Sequence, residues 1–377
     1  MPVQQINLSY SWTPHQDEAA HRPQTSPLRN PLMDMLQAVR EAGSIAGAAK
    51  SLQMSYRHVW GELRRWEQTL GMALILWEKG HAARLSEFAD KLLWAERQAQ
   101  ARLAPQLSSL HAELEKTFAM AFDPESHLLP IYASHDDALV QLQHHTAQQR
   151  LHLDIRFCGS IDAIRALNQG RCSVAGFHAP LQPEAKSMVA QAYRPLLKTG
   201  LHKLIAFTRR QQGLMVAKGN PLGLHQLHDL TQPGVRFVNR SQGTGTRLLL
   251  DQWLCQAGLN STSLTGYNHE EPSHAAAAAS VAAGQADAGL GIESAAQAQG
   301  LDFVPLAEEA YWLVCLKSAV HSPPVQQLLK TLQSNQWLHH LNSLTGYQSG
   351  EKSGHVQSLK AHLPWWTHLP KEPKKNK

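Results

Sequence analysis

The chain has 377 residues, 43% of them hydrophobic and 17% charged, and a formal net charge of +5. That length and composition predict two or three domains with real cores and exclude a fibrous or low-complexity chain, and no apolar run approaches a membrane span. The excess of basic residues is not in itself a nucleic-acid signature, because Lys371, Lys374, Lys375 and Lys377 crowd the C-terminus.

Residues 1–30 are rich in Pro, Gln, His and Ser and lack the apolar core of a secretory signal. They read as a disordered leader on a cytoplasmic protein. Cys158, Cys172, Cys255 and Cys315 are scattered without a CxxC pair, as expected of reduced thiols. The histidine pairs His144-His145 and His339-His340 lack the i, i+4 spacing of a helical metal site, so no protein-ligated metal is expected.

Residues 31–86 carry the pattern of a DNA reader. A helix from Pro31 presents Met35, Leu36 and Val39 on one face. Gly43-Ser44 ends it and caps a second helix, Ile45 to Leu52, whose Ala46, Ala48 and Ala49 allow close crossing. Ser55 caps a third helix running to about Leu70, with Val59, Leu63 and Trp66 as its buried stripe. Its opposite face shows Tyr56, Arg57, His58, Arg64 and Arg65. Two helices, a short turn and a polar front describe a helix-turn-helix, with Ser44 and Ser55 to His58 toward the DNA and Arg64 and Arg65 toward phosphate. A plain helical hairpin with a solvated face is the alternative. Charge does not decide, since residues 1–122 hold 13 Lys+Arg against 12 Asp+Glu. Leu74 to Trp77 and Ala83 to Leu85 then read as a hairpin wing, with Lys79, His81 and Arg84 placed to touch the backbone.

Glu41-Ala-Gly-Ser-Ile45, Ala48-Ala49, Met54-Ser-Tyr-Arg57, Trp60 and Trp66-Glu67 resemble the winged helix-turn-helix of the molybdate-responsive ModE regulators, related to the LysR-type headpiece. The glycine-rich wing insertion common in that family is missing. Residues 87–122 follow as one long helical pattern. Phe88, Leu92, Ala95, Ala99, Leu103, Leu107, Leu110, Leu114 and Phe118 recur at three or four residues, which predicts a dimerisation helix; Pro105 should kink or split it.

From residue 124 to 366 strand-like and helix-like runs alternate, so the fold class is α/β behind an all-α-rich N-terminal part. One local design repeats: a strand, a few small polar residues, then a helix. It occurs at Ser134-His135-Asp136, at Gly159-Ser160, at Gly176-Phe177-His178, and at Ser273-His274 before an alanine-rich helix. The fullest version is Arg240-Ser241-Gln-Gly243-Thr244-Gly245-Thr246-Arg247, between an apolar strand and the helix from Leu248. Glycines admit close approach to a ligand, and helix starts aim free N–H groups at it. Each loop alone is also an ordinary strand-to-helix turn. Together they predict a cleft for a small anion at the carboxyl edges of the sheets. The candidate ligands are Ser134, His135, Asp136, Gly159, Ser160, His178, Arg240, Ser241, Gly243, Thr244, Gly245, Thr246, Arg247, Ser273 and His274. Asp136, Glu270 and Glu271 would repel a bare anion unless they cap helices or pair with arginines.

These blocks, with Gly266-Tyr267, Gly284 to Ile292 and Leu301 to Leu306, resemble a two-lobed type II periplasmic-binding-protein-like domain of the molybdate/tungstate branch. The resemblance implies one lobe at about 126–203 plus 313–366 and another at about 218–303. Crossing segments are expected near Leu204 to Phe207 and Tyr311 to Cys315. Residues 367–377 read as a basic tail. The expectation is a one-component regulator that binds double-stranded operator DNA as a homodimer. Its effector would be molybdate, tungstate or a molybdenum-cofactor-related species, with no catalytic cofactor and no membrane partner. A transporter's solute-binding protein and an enzyme of molybdenum cofactor metabolism are the alternatives; against an enzyme, no nucleophile stands at a base's spacing and no metal or nucleotide motif is present.

Overall fold

The computed structural model describes residues 30–76, 83–122, 125–181, 187–350 and 352–363. The leader, the wing tip with Lys79 and His81, and the basic tail lie outside them. The chain divides into two compact units, residues 1–100 and 101–377.

In the first unit, α1 (Pro31–Ala42), α2 (Ile45–Ser51) and α3 (Tyr56–Leu70) form a three-helix core, followed by β1 (Ile75–Leu76) and β2 (Arg84–Leu85) as an antiparallel pair. Ser44 and Ser55 cap α2 and α3, accepting from the N–H groups of Gly47 and His58. Val59 and Leu63 meet Leu36, Val39, Ala48 and Ala49 in one apolar cluster. Glu67 ties α3 to the start of the hairpin by accepting from Leu74 N (2.8 Å) and Ile75 N (3.1 Å).

The helix α4 (Glu87–Phe122) begins in this unit and ends in the next. Pro105 lies inside it and does not split it.

The second unit contains β3 (His127–Ala133), α5 (Asp137–Ala147), β4 (Leu151–Phe157), α6 (Ser160–Asn168), β5 (Val174–Pro180), α7 (Met188–Tyr193) and β6 (His202–Val216). Then come β7 (Phe237–Arg240), α8 (Gly245–Gln256), β8 (Glu270–Glu271), α9 (His274–Ala282), β9 (Ala288–Ile292), α10 (Glu293–Ala298) and β10 (Asp302–Leu316). The chain finishes with α11 (Pro323–Leu332), α12 (Asn335–Ser343), β11 (Tyr347–Gln348), β12 (Val356–Ser358) and α13 (Leu359–His362).

The strand order β4-β3-β5-β10-β6-β9-β7-β8 makes the two lobes visible. Parallel β4, β3 and β5 build one side; parallel β9, β7 and β8 build the other. Two 15-residue strands, β6 and β10, run antiparallel between them and belong to both. Lys203 to Ala206 pair with Trp312 to Cys315 in lobe one, whereas Gln212 to Val216 pair with β9 in lobe two. Irregularities fall between Pro305 and Ala307 and between Tyr311 and Trp312. The crossing therefore lies a few residues beyond Leu204 to Phe207, which sits wholly in lobe one. Gly176-Phe177-His178 is likewise strand rather than turn, because β5 runs on to Pro180 against β10.

Candidate ligand cleft and DNA-reading helix

Four strand-to-helix junctions converge between the lobes. Asp136 caps α5, Gly159 precedes α6, Thr244 caps α8 and Ser273 caps α9. Ser134 Oγ and Ser160 Oγ lie 3.2 Å apart, both buried. Gly159 from lobe one meets the Gly243 loop from lobe two: a Cβ at residue 159 would stand 2.9 Å from the Gly243 carbonyl oxygen. Gly243 itself has φ +80°, a left-handed conformation that suits glycine.

A buried charge network fills the space behind these junctions. Arg210, on the crossing part of β6, donates Nε to Glu309 Oε1 (2.6 Å) and NH1 to Asp136 Oδ2. Asp136 also accepts from Tyr347 OH at 3.0 Å, and His178 Nε2 stands 3.9 Å away. Burial would raise the Asp136 carboxyl, but Arg210, His178 and Tyr347 outweigh it and hold it below the usual range. Gln212 Nε2 links Glu309 Oε1 (2.8 Å) to Thr246 Oγ1 (3.1 Å), so a charge pair on the crossing strands touches the first turn of α8. His178 stacks on Tyr311, its partner across β5 and β10, at 3.9 Å between ring centroids. Tyr311 is fully buried and donates to the Ser134 carbonyl.

Arg240 ends β7 and is buried. Its NH1 donates to the Glu271 carbonyl (2.8 Å), while its Nε has no partner among the described residues. Burial, then the Arg210 charge, lower its pKa, so this cation is under-compensated where it stands. His274 is buried as well, with Nε2 3.4 Å from Arg210 NH2 and Nδ1 without a partner. Burial, Arg240 and Arg210 push its pKa well below 6.5; burial also lowers His135 and His178. The site thus offers neutral imidazoles, helix starts and one arginine short of an acceptor.

The remaining candidates are placed differently. Arg247 lies 4.0 Å over the Tyr267 ring, 3.1 Å from Glu270 Oε1 and 3.3 Å from Asp251 Oδ1, as part of lobe two. Thr244 Oγ1 accepts from Arg247 N and donates to the Ser241 carbonyl; Ser241 Oγ donates to the Glu271 carbonyl. Ser273 Oγ turns to the Ala101 carbonyl on α4. Of the hydroxyls, Ser134, Ser160 and Thr246 belong to the network. Sequence reading missed Arg210, Gln212, Glu309 and Tyr347. The one available signal was Arg209-Arg210-Gln211-Gln212, four polar residues interrupting an apolar strand.

On the first unit, Tyr56 (51% exposed), Trp60 (40%), Arg57, His58, Arg64 and Arg65 all lie on the open face of α3. Arg64 bonds to Glu67 (3.0 Å) and Arg65 to Glu62, which leaves Arg57 and His58 as the groups at the start of the helix. Arg84 is exposed at β2.

Residues 32–90 match the bacterial regulatory helix-turn-helix proteins of the lysR family. Residues 141–333 match the PBP superfamily domain. An uncharacterized protein of Bacillus subtilis (strain 168), YvgK, is 34% identical over 198 residues, 52% of this chain and 62% of that one. The chain therefore spans less than two thirds of that relative. An uncharacterized protein from the ferredoxin 2Fe-2S gene 5′ region of Clostridium pasteurianum is 35% identical over 113 residues, 30% of this chain and 100% of that one. Among solved structures, an OxyR mutant of Corynebacterium glutamicum aligns with 79% of this chain and 89% of its own at 18% identity, TM-score 0.40. CbnR, a LysR family transcriptional regulator, aligns with 79% and 98% at 16% identity, TM-score 0.36. Residues 32–90 thus resemble a lysR-family helix-turn-helix, and the match over residues 141–333 spans half of the chain, so the chain belongs to the PBP superfamily.

Proposed function

We propose that this chain is a LysR-type transcriptional regulator that works in the cytoplasm as a homodimer, and that its cleft takes a small anion: molybdate, tungstate or a molybdenum-cofactor-related species. The observation that carries the anion is Arg240, a buried cation with an unpartnered Nε beside four helix starts. An anion there would gain charge-assisted hydrogen bonds from groups already oriented. The nearby carboxylates do not oppose it. Asp136 caps α5 and is held by Arg210, and Glu270 and Glu271 are held by Arg247 and Arg102. The ModE-like residues of the headpiece favour a molybdenum species over other oxyanions.

The homodimer reading rests on α4. Its predicted seam is the side left uncovered: Leu103 and Leu107 are half-buried and Leu110 is 49% exposed, while Ala89 and Leu93 are buried. A pair of α3 helices would then read two half-sites, with Ser55 to His58 at the bases and Arg65 and Arg84 at phosphate. Effector and DNA are coupled only if the effector prefers one arrangement of the dimer. Fluorescence anisotropy on an operator selected from genomic fragments tests this, with and without saturating molybdate, tungstate or molybdopterin. A shift in operator affinity with one of them is expected. Equal affinity with all three refutes the coupling.

A further inference from the structure

A cavity of about 270 Å³ opens on the opposite face of the crossing strands. Strand alternation explains why the two sites stand back to back. Arg210 and Glu309 are register partners facing the cleft; their neighbours Arg209 and Ala310, also register partners, face the other way. Trp312, paired with Ala206, lies on that outer face too. Lys352 and His362 approach from the C-terminal segment and complete the wall.

Among the described residues the charged chemistry of this wall is one-sided. Its ionisable groups are Arg209, Lys352 and His362, all basic, beside the Tyr311 phenol. No carboxylate among the described residues forms an ion pair with Arg209 or Lys352, and both side chains are exposed. The His362 ring lies 4.9 Å from the Trp312 ring at 43°, so the aromatic surface sits beside the cations. Burial lowers the His362 pKa, and the Lys352 and Arg209 charges lower it further. A volume of this size is at the small end of ligand sites and matches one ring with an acidic group better than a nucleotide.

We propose that this cavity is a second ligand site, for a small planar organic anion whose acidic group meets Arg209 and Lys352 and whose ring lies against Trp312. The site shares Tyr311 with the cleft network but none of its charged groups, and its ligand need not be the cleft's ligand.

The test is calorimetric titration of the full-length protein with phenyl phosphate, inorganic phosphate and benzamide. Phenyl phosphate should bind tightest of the three. Arg209→Gln with Lys352→Gln should weaken it by about tenfold or more, the loss of charge-assisted bonds. Trp312→Leu should bring its affinity down toward that of inorganic phosphate. Arg240→Gln, in the cleft, should leave phenyl phosphate binding unchanged. Because Arg209 and Lys352 are exposed, the double variant should keep the wild-type melting curve, which circular dichroism checks. Failure of phenyl phosphate to bind overturns the proposal, as does binding unaffected by the double substitution or lost in Arg240→Gln. Equal binding of benzamide would refute the anionic class, and equal binding of inorganic phosphate the aromatic part.

Discussion

Arg102 lays its guanidinium fork along the Glu271 carboxylate, Nε to Oε2 at 2.9 Å and NH2 to Oε1 at 2.7 Å. Arg102 belongs to α4; Glu271 ends β8, and its backbone carbonyl accepts from Arg240 and Ser241. One residue earlier on α4, the Ala101 carbonyl accepts from Ser273 Oγ at 3.1 Å. Pro105 has no N–H to offer that carbonyl, so the serine hydroxyl stands in for the missing helix bond. Residues 271 and 273 thus connect the cleft arginine to α4, the helix proposed to dimerise.

Replacing Arg102 by alanine should weaken this connection. It deprives the fully buried Glu271 side chain of its guanidinium partner, while Ser280 Oγ still donates to Oε1 at 2.9 Å. A loss of about 1–3 kcal/mol is expected from a charged group deprived of its partner, measured by urea denaturation. Anisotropy should show that the variant still binds operator with a smaller response to effector. An undiminished response would mean that the contact only stabilises the fold.

Stability should fall as pH drops from 7.5 to 5.5. His135, His178 and His274 have depressed pKa values in the fold, first because they are buried. Once unfolded, each regains a pKa near 6.5. Between the folded and unfolded values the unfolded chain binds more protons, so the native state loses ground as pH decreases. Melting temperatures across that range check the sign; a flat profile would show that these imidazoles are not held neutral.

At the DNA end, Arg57→Ala should reduce operator affinity by about tenfold and lower the salt dependence, whereas Arg64→Ala should do less, since Arg64 is already held by Glu67. Anisotropy at several salt concentrations separates the two. Equal losses would argue that Arg64 leaves Glu67 to reach phosphate.

Placing a charge on the α4 seam should break the dimer. Leu110→Glu introduces a like-charge pair where two copies of an exposed leucine (49%) would meet. Light scattering should report a monomer with an intact melting curve. A dimer that survives would place the subunit contact elsewhere.

The headpiece was legible because its signals are local. Capping serines at 44 and 55 and the 3.6-residue stripe Val59, Leu63 are set by neighbours in the chain. The strand-to-helix loops of the second unit were legible for the same reason. Arg210, Gln212 and Glu309 were not, because their meaning comes from pairing between β6 and β10 across nearly 100 intervening residues. Arg247 illustrates the reverse: it lies in the glycine-rich loop, yet an aromatic ring and carboxylates within lobe two claim its guanidinium. Which of two adjacent polar residues faces the cleft is decided by register, and sequence patterning does not show register when a strand is buried on both sides.

Arg240 is where the account is most exposed. Calorimetric titration of the wild type and of Arg240→Gln with molybdate, tungstate, sulfate, phosphate and molybdopterin measures it directly. Molybdate, tungstate or molybdopterin should bind the wild type, and the substitution should weaken that ligand by about tenfold or more through loss of a buried charge-assisted bond. Binding of equal strength in both proteins would contradict an anion held at Arg240.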